Sequence, residues 1–148
     1  MSLIREEEAI LSGLLEVAQK ISIAARTAPK GRGISNLVTA IATQQEIGLL
    51  VERMEKIGKE QNQGFFVRDA NNLKETPVVV LLGTRISSQN IAYCGYCGFE
   101  NCEVKNQHAD VPCAFNTGDL GIAVGSAVSI AMDHRVDNRI MYSAGRAA

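Results

Sequence analysis

Pro77-Val78-Val79-Val80-Leu81-Leu82 is the stretch from which the fold is read. Apolar residues follow the proline without a break and most of them are β-branched, the composition of a strand with both faces shielded from water. The expectation is an α+β domain, a central sheet covered by helices, with this strand inside it.

The strand delivers the chain to a segment that holds every cysteine of the protein, Cys94-Gly95-Tyr96-Cys97-Gly98-Phe99-Glu100-Asn101-Cys102 and then Cys113. The spacing C-x2-C-x4-C-x10-C gathers four soft sulfur donors within twenty residues. That is the ligand type and number of an iron-sulfur cluster or of a structural zinc. Gly95 and Gly98 each follow a cysteine, where a positive φ would aim backbone N–H groups at sulfur. Two disulfides are the bland alternative, but such frameworks belong to small secreted domains, and Met1-Ser2-Leu3-Ile4-Arg5-Glu6-Glu7-Glu8 has no basic start or apolar run. Zinc competes with iron-sulfur, on four thiolates or on three with His108, although a zinc ribbon has two short C-x2-C knuckles and this chain has one.

Upstream, Leu3, Ile10, Leu14, Val17 and Ile21 recur at helical spacing, so residues 3–26 read as an amphipathic helix capped by Ser2. Glu6, Glu7 and Glu8 suit the positive end of its dipole, Lys20 and Arg26 the other end. Ala25-Arg26-Thr27-Ala28-Pro29-Lys30-Gly31-Arg32-Gly33 then forms a loop of three cations among glycines, where the phosphate of a flavin mononucleotide (FMN) is expected on Arg26, Lys30 and Arg32. The alternative for this loop is a solvated turn.

Residues 37–42 read as a short strand, and Thr43-Gln44-Gln45-Glu46 as a capping box opening a helix whose stripe is Ile47, Leu50, Val51, Met54 and Ile57. Residues 65–72, beginning Phe65-Phe66-Val67, read as a brief strand running into a loop. Beyond Cys113, Asn116-Thr117-Gly118-Asp119 reads as a helix start with Asp119 as cap, and residues 120–134 as a helix buried all round. Its small residues, Gly121, Gly125, Ala127 and Ser129, would let a second subunit come close, and a homodimer is expected. A further segment rich in small residues starts at Ile140.

The chain has 148 residues, 46% of them hydrophobic, enough for one domain over residues 1–148 with the cysteine-rich loop, 86–116, inserted. A net charge of −1 argues against nucleic acid and against a polybasic membrane contact. Residues 76–83 and 120–132 are too short to span a bilayer, so the expected place is the cytoplasm, where thiols stay reduced.

From Glu6 to Ala148 the sequence resembles a family of uncharacterised prokaryotic proteins containing a ferredoxin-like domain. The strings that carry the resemblance are Ala25 to Gly33 as quoted above, Arg68-Asp69-Ala70, Cys94-Gly95-Tyr96-Cys97-Gly98-Phe99, Pro112-Cys113-Ala114-Phe115-Asn116, Asp119-Leu120-Gly121-Ile122-Ala123 and Asp137-Asn138-Arg139-Ile140-Met141-Tyr142-Ser143. The resemblance implies a 4Fe-4S site on Cys94, Cys97, Cys102 and Cys113. The order of elements also resembles nitroreductase-like flavoproteins, α+β homodimers with FMN at the subunit interface, which implies that Arg26, Lys30 and Arg32 face the flavin phosphate. The function expected is that of an iron-sulfur redox protein passing single electrons to a partner protein, or of an FMN-dependent reductase. The competing expectation is a non-catalytic module stapled by zinc.

Overall fold

A computed structural model describes residues 3–148. Helix α1 (Glu6–Thr27) leads to a turn at Gly31–Gly33, strand β1 (Leu37–Thr43) and helices α2 (Gln44–Glu60) and α3 (Gly64–Lys74). Strand β2 (Val78–Thr84), the short helix α4 (Cys102–Asn106), α5 (Ala114–Asp133) and α6 (Tyr142–Ala147) complete the chain. It is α+β and mostly helical, with a two-stranded antiparallel sheet.

The strands pair from Leu37 opposite Thr84 to Thr43 opposite Val78. Side chains alternate across that ladder, so each face carries its own core. On one face Ala42, Val79 and Leu81 meet Leu50, Met54, Phe66, Leu73 and Ala144 from α2, α3 and α6. On the other, Leu37 and Leu82 meet Ala25 and Ala28 at the end of α1 and Ala123 and Ala127 of α5.

The shielding of β2 is less complete than the sequence predicts. All seven of its residues are half-buried. Among the described residues β2 pairs with β1 alone, and along it runs a groove of about 650 Å³ lined by Val80, Leu82, Val124, Val128, Met141 and Ala144 among others.

The first helix begins at Glu6, not at Leu3, with Arg5 as N-cap and no side-chain cap bond; the predicted cap Ser2 lies outside the described residues. Glu6, Glu7 and Glu8 occupy its first turn as expected. Thr43 is the N-cap of α2 but its side chain makes no capping bond, the chain turning sharply at Gln44 with φ 36. Residues 65–72 are helical, not a strand. Phe66, Asp69, Ala70 and Leu73 are buried at the three- and four-residue spacing of one helix face, and packing on α2 overrides the β preference of Phe-Phe-Val. That packing is close: a methyl group on Gly58 would stand 2.7 Å from Val67 Cγ2.

Helix α5 starts at Ala114, with Cys113 as N-cap, and Asp119 lies inside it instead of capping it. Neither is it buried all round: Gly118, Gly121, Ile122, Gly125, Ser129 and Met132 are exposed along one side. The helix is apolar by composition, but α1 and the sheet cover only its other side.

One buried charge ties α3 to the last helix. Asp69, 5% exposed, accepts hydrogen bonds from Ser143 Oγ at 2.6 Å, Arg68 Nε at 3.0 Å and Arg139 at 3.2 Å. Burial pushes its carboxyl up most strongly of any single influence, yet the bonds from Ser143 and Arg68 and the charges of Arg68 and Arg139 together outweigh it and hold the carboxyl below its ordinary value. A depressed folded-state value contributes stability that is present in full above the unfolded value, about pH 4, and is lost as pH falls through the folded one. Urea unfolding from pH 7 down to pH 2 should show this loss, which Asp69→Asn should remove. Asp69→Ala should cost about 1.5–3 kcal/mol at pH 7, as for a hydrogen-bonded buried charge.

Candidate metal centre

β2 ends at Thr84, and residues 85–113 then run to α5 with α4 as their regular element. Both ends of this loop are pinned. Arg85 N donates to Asn36 O at 2.9 Å, continuing the strand pairing by one step, and Ser87 N donates to Asn116 Oδ1 at 2.9 Å on the first turn of α5. Ser88 Oγ donates to Asn106 Oδ1 at 2.5 Å, which ties the loop's entry to α4.

Within the loop, backbone turns set the path of the cysteines. Tyr93 takes φ 53 immediately before Cys94. Gly98 takes φ 85 immediately after Cys97, and its N–H donates to Gly95 O at 2.8 Å. Of the two glycines read as candidates for a positive φ, Gly98 has one and Gly95 does not. Asn101 then caps α4, its Oδ1 accepting from Val104 N at 2.9 Å, so that Cys102 opens the helix. Cys113 stands at the start of α5 and is buried, while Cys94, Cys97 and Cys102 are half-buried. All four thiols are free.

The four cysteines thus share one loop, but the structure does not close them around a point. Among the described residues no three His, Cys, Asp or Glu side chains stand where they could hold one metal ion. His108, the alternative fourth zinc ligand, is exposed and stacks on Phe99 with ring centroids 4.9 Å apart. The donor set itself, four reduced thiols on one irregular segment, fits iron-sulfur or zinc chemistry. Gathering them requires the loop to move.

Arg26, Lys30 and Arg32 are turned onto oxygens of the protein. Arg26 donates to Ser35 Oγ at 2.8 Å and Leu37 O at 3.2 Å. Lys30 donates to Arg26 O at 2.6 Å and to Ala28 O, closing the end of α1, where carbonyls lack helical partners. Arg32, with φ 55, donates to Gln89 O at 2.7 Å and Asn90 O at 3.2 Å, joining the cation loop to the start of the cysteine loop.

Asp119, expected as a cap, clusters around that junction with two side chains the sequence does not mark as site candidates, Gln89 and Asn116. Asp119 accepts from Gly31 N at 2.9 Å and from Gln89 Nε2 at 3.4 Å, and these longer-range bonds take the place of the capping expected of it. Gln89 and Asn116 are 2% and 1% exposed, and Gln89 Oε1 and Asn116 Nδ2 are buried without a hydrogen-bond partner. A polar residue within the string Pro-Cys-Ala-Phe-Asn was the available signal for Asn116; nothing local marks Gln89.

No helix among the described residues is long and apolar enough to cross a membrane. The profile of a family described as uncharacterized protein containing a ferredoxin domain (DUF2148) matches residues 109–148, which include Cys113 and all of α5 and α6. No solved structure matches the chain, so the likeness to nitroreductase-like flavoproteins gains no support from known folds. An uncharacterized protein of Archaeoglobus fulgidus is 31% identical over 153 residues, covering 99% of this chain and 83% of that protein. With a relative of that identity along its whole length and the profile match over its last two helices, the chain belongs to the family of uncharacterized proteins containing a ferredoxin domain.

Proposed function

We propose that the protein is an iron-sulfur redox protein in which Cys94, Cys97, Cys102 and Cys113 ligate one 4Fe-4S cluster. The observation that carries the reading is that all four thiols are free and lie on the single segment between β2 and α5. The family's description as containing a ferredoxin domain supports it. Four protein thiolates complete the coordination of a cubane cluster and leave no open iron, so the cluster would exchange single electrons with a partner and not bind a substrate. Binding would then draw the loop together, the metal's affinity contributing to the stability of the holo-protein.

An FMN beside the cluster is the second reading, which would make the protein a flavin-dependent reductase. It is favoured by one observation, that Arg32 links the cation loop directly to the cysteine loop while its side chain stays exposed. Against it stand the bonds that Arg26 and Lys30 already make to the protein's own oxygens. The proposed assembly is a homodimer joined along the exposed side of α5. A Cβ at Gly118, Gly121 or Gly125 would meet nothing within 4 Å, so packing inside one chain does not require these glycines, whereas close approach of another body would.

Anaerobic reconstitution with iron and sulfide should give brown protein with about four irons per chain, and Cys113→Ser should lose most of them. Stoichiometric zinc and no iron would favour the structural module. Titration of the apo-protein with FMN, followed by flavin fluorescence, should saturate if the second reading holds, and Arg32→Ala should then cost about 1.5–3 kcal/mol of binding. Absence of saturation by wild-type protein removes the flavin. Sedimentation equilibrium at micromolar concentration should return twice the chain mass, and Gly121→Glu should shift it to a monomer.

A further inference from the structure

Among the described residues two buried side-chain atoms lack a hydrogen-bond partner, Gln89 Oε1 and Asn116 Nδ2, so neither serves the other. They differ in kind. Gln89 Oε1 is an acceptor, its amide oriented by Nε2, which donates to Ile34 O and to Asp119 Oδ2 at 3.4 Å each. Asn116 is oriented by its oxygen. Oδ1 accepts from Ser87 N at 2.9 Å, a bond that only the carbonyl end of the amide can make, so the unpartnered atom carries N–H. A buried donor without an acceptor is unfavourable, and Asn116, 1% exposed, cannot turn it to solvent.

The cysteine-bearing segments are all tied to the turn that carries this donor. Cys113, 5% exposed, is the N-cap of α5 and Asn116 the third residue of that helix, positions that face each other across one turn in a capping box. Tyr96, between Cys94 and Cys97, meets Phe115 edge-on with ring centroids 6.1 Å apart, which sets the C-x2-C knuckle against the same turn. Ser87, bound to Asn116, is followed by Ser88, whose bond to Asn106 holds α4 and with it Cys102. Four thiolates around an iron-sulfur core form a net-negative group rich in sulfur acceptors, which is what the donor lacks.

We propose that Asn116 Nδ2 donates a hydrogen bond to the sulfur shell of the metal centre, with Cys113 Sγ as the acceptor nearest in the chain, and raises the reduction potential of the cluster held there. The inference rests on the iron-sulfur reading above. Reduction adds an electron to a group that is already negative, and an N–H fixed beside its sulfurs stabilises the reduced form more than the oxidised one. Through Oδ1 the same side chain holds the entry of the loop, so one amide joins that entry to the metal centre.

The test uses the full chain with 15N in its asparagine side chains, reconstituted anaerobically with iron and sulfide and its iron counted. After one-electron reduction, pulsed electron paramagnetic resonance reads the coupling of the unpaired electron to a nitrogen hydrogen-bonded to the cluster. Wild-type protein should show a 15N coupling; a role confined to holding Ser87 would give none. Asn116→Leu, which keeps the shape of the side chain without its polar ends, should load the same iron and lose that coupling. It should also be harder to reduce, the equilibrium constant for one-electron reduction falling about three- to ten-fold, or about 30–60 mV. Asn116→Gln, which returns an amide without the label, should lose the coupling and recover part of the potential. If Asn116→Leu alone fails to hold iron, that result for loaded Asn116→Gln supports the proposal by itself. No 15N coupling in loaded wild-type protein, a coupling that survives in either variant, an unchanged potential in loaded Asn116→Leu, or loss of iron from both variants overturns the proposal and leaves the cluster reading intact. Failure of wild-type protein to load iron instead removes the reading on which it rests.

Discussion

The pairing of β1 with β2 is the constraint on which the rest of the molecule depends. Seven residue pairs join the strands, and their alternation sends Val79 and Leu81 into one core and Leu82 into the other. Helices α2, α3 and α6 are held on one face, and α1 and α5 on the other, by the side chains this ladder presents. Register therefore matters more here than in a wide sheet: a slip of one residue would exchange the two cores. The same pairing fixes where the cysteine loop begins, because Arg85 continues the ladder onto Asn36 before the chain departs.

From that anchor, residues 85–113 run with little regular structure to the start of α5. Connections that long within a domain are uncommon unless they serve a function. Here the entry is bound to α5 through Ser87 and Asn116 and to the cation loop through Arg32, Gln89 and Asp119. The polar junction ties the entry of the loop to its exit, and Cys94 and Cys97 lie between the two. At the exit of the loop Asn116 Nδ2 is buried without a hydrogen-bond partner.

Much of the architecture was legible in the sequence because it follows local patterns. The apolar stripe Ile47, Leu50, Val51 and Met54 is buried as its spacing predicts, and β1 and β2 fall where β-branched residues concentrate. The errors share one physical source, contacts between residues distant in sequence. Phe65-Phe66-Val67 has β character, but the face made with Asp69, Ala70 and Leu73 meets α2 and becomes helix. Asp119 has a cap's chemistry, but Gly31 N, 88 positions away, claims it. Of the candidate centre, the sharing of one loop by all four cysteines was legible; the engagement of Arg26, Lys30 and Arg32 by the protein's own oxygens, and the burial of Gln89, were not, since nothing in their own neighbourhoods signals them.

The central claim is that the four cysteines hold one 4Fe-4S cluster. Mössbauer spectroscopy of protein reconstituted anaerobically with 57Fe tests it most directly, because the spectrum separates a delocalised cubane from isolated iron. The account predicts that nearly all the iron appears as one diamagnetic 4Fe-4S species, lost when Cys113 is replaced by serine. Iron bound only as high-spin ferrous ions, or a 4Fe-4S signal unchanged in Cys113→Ser, would contradict it.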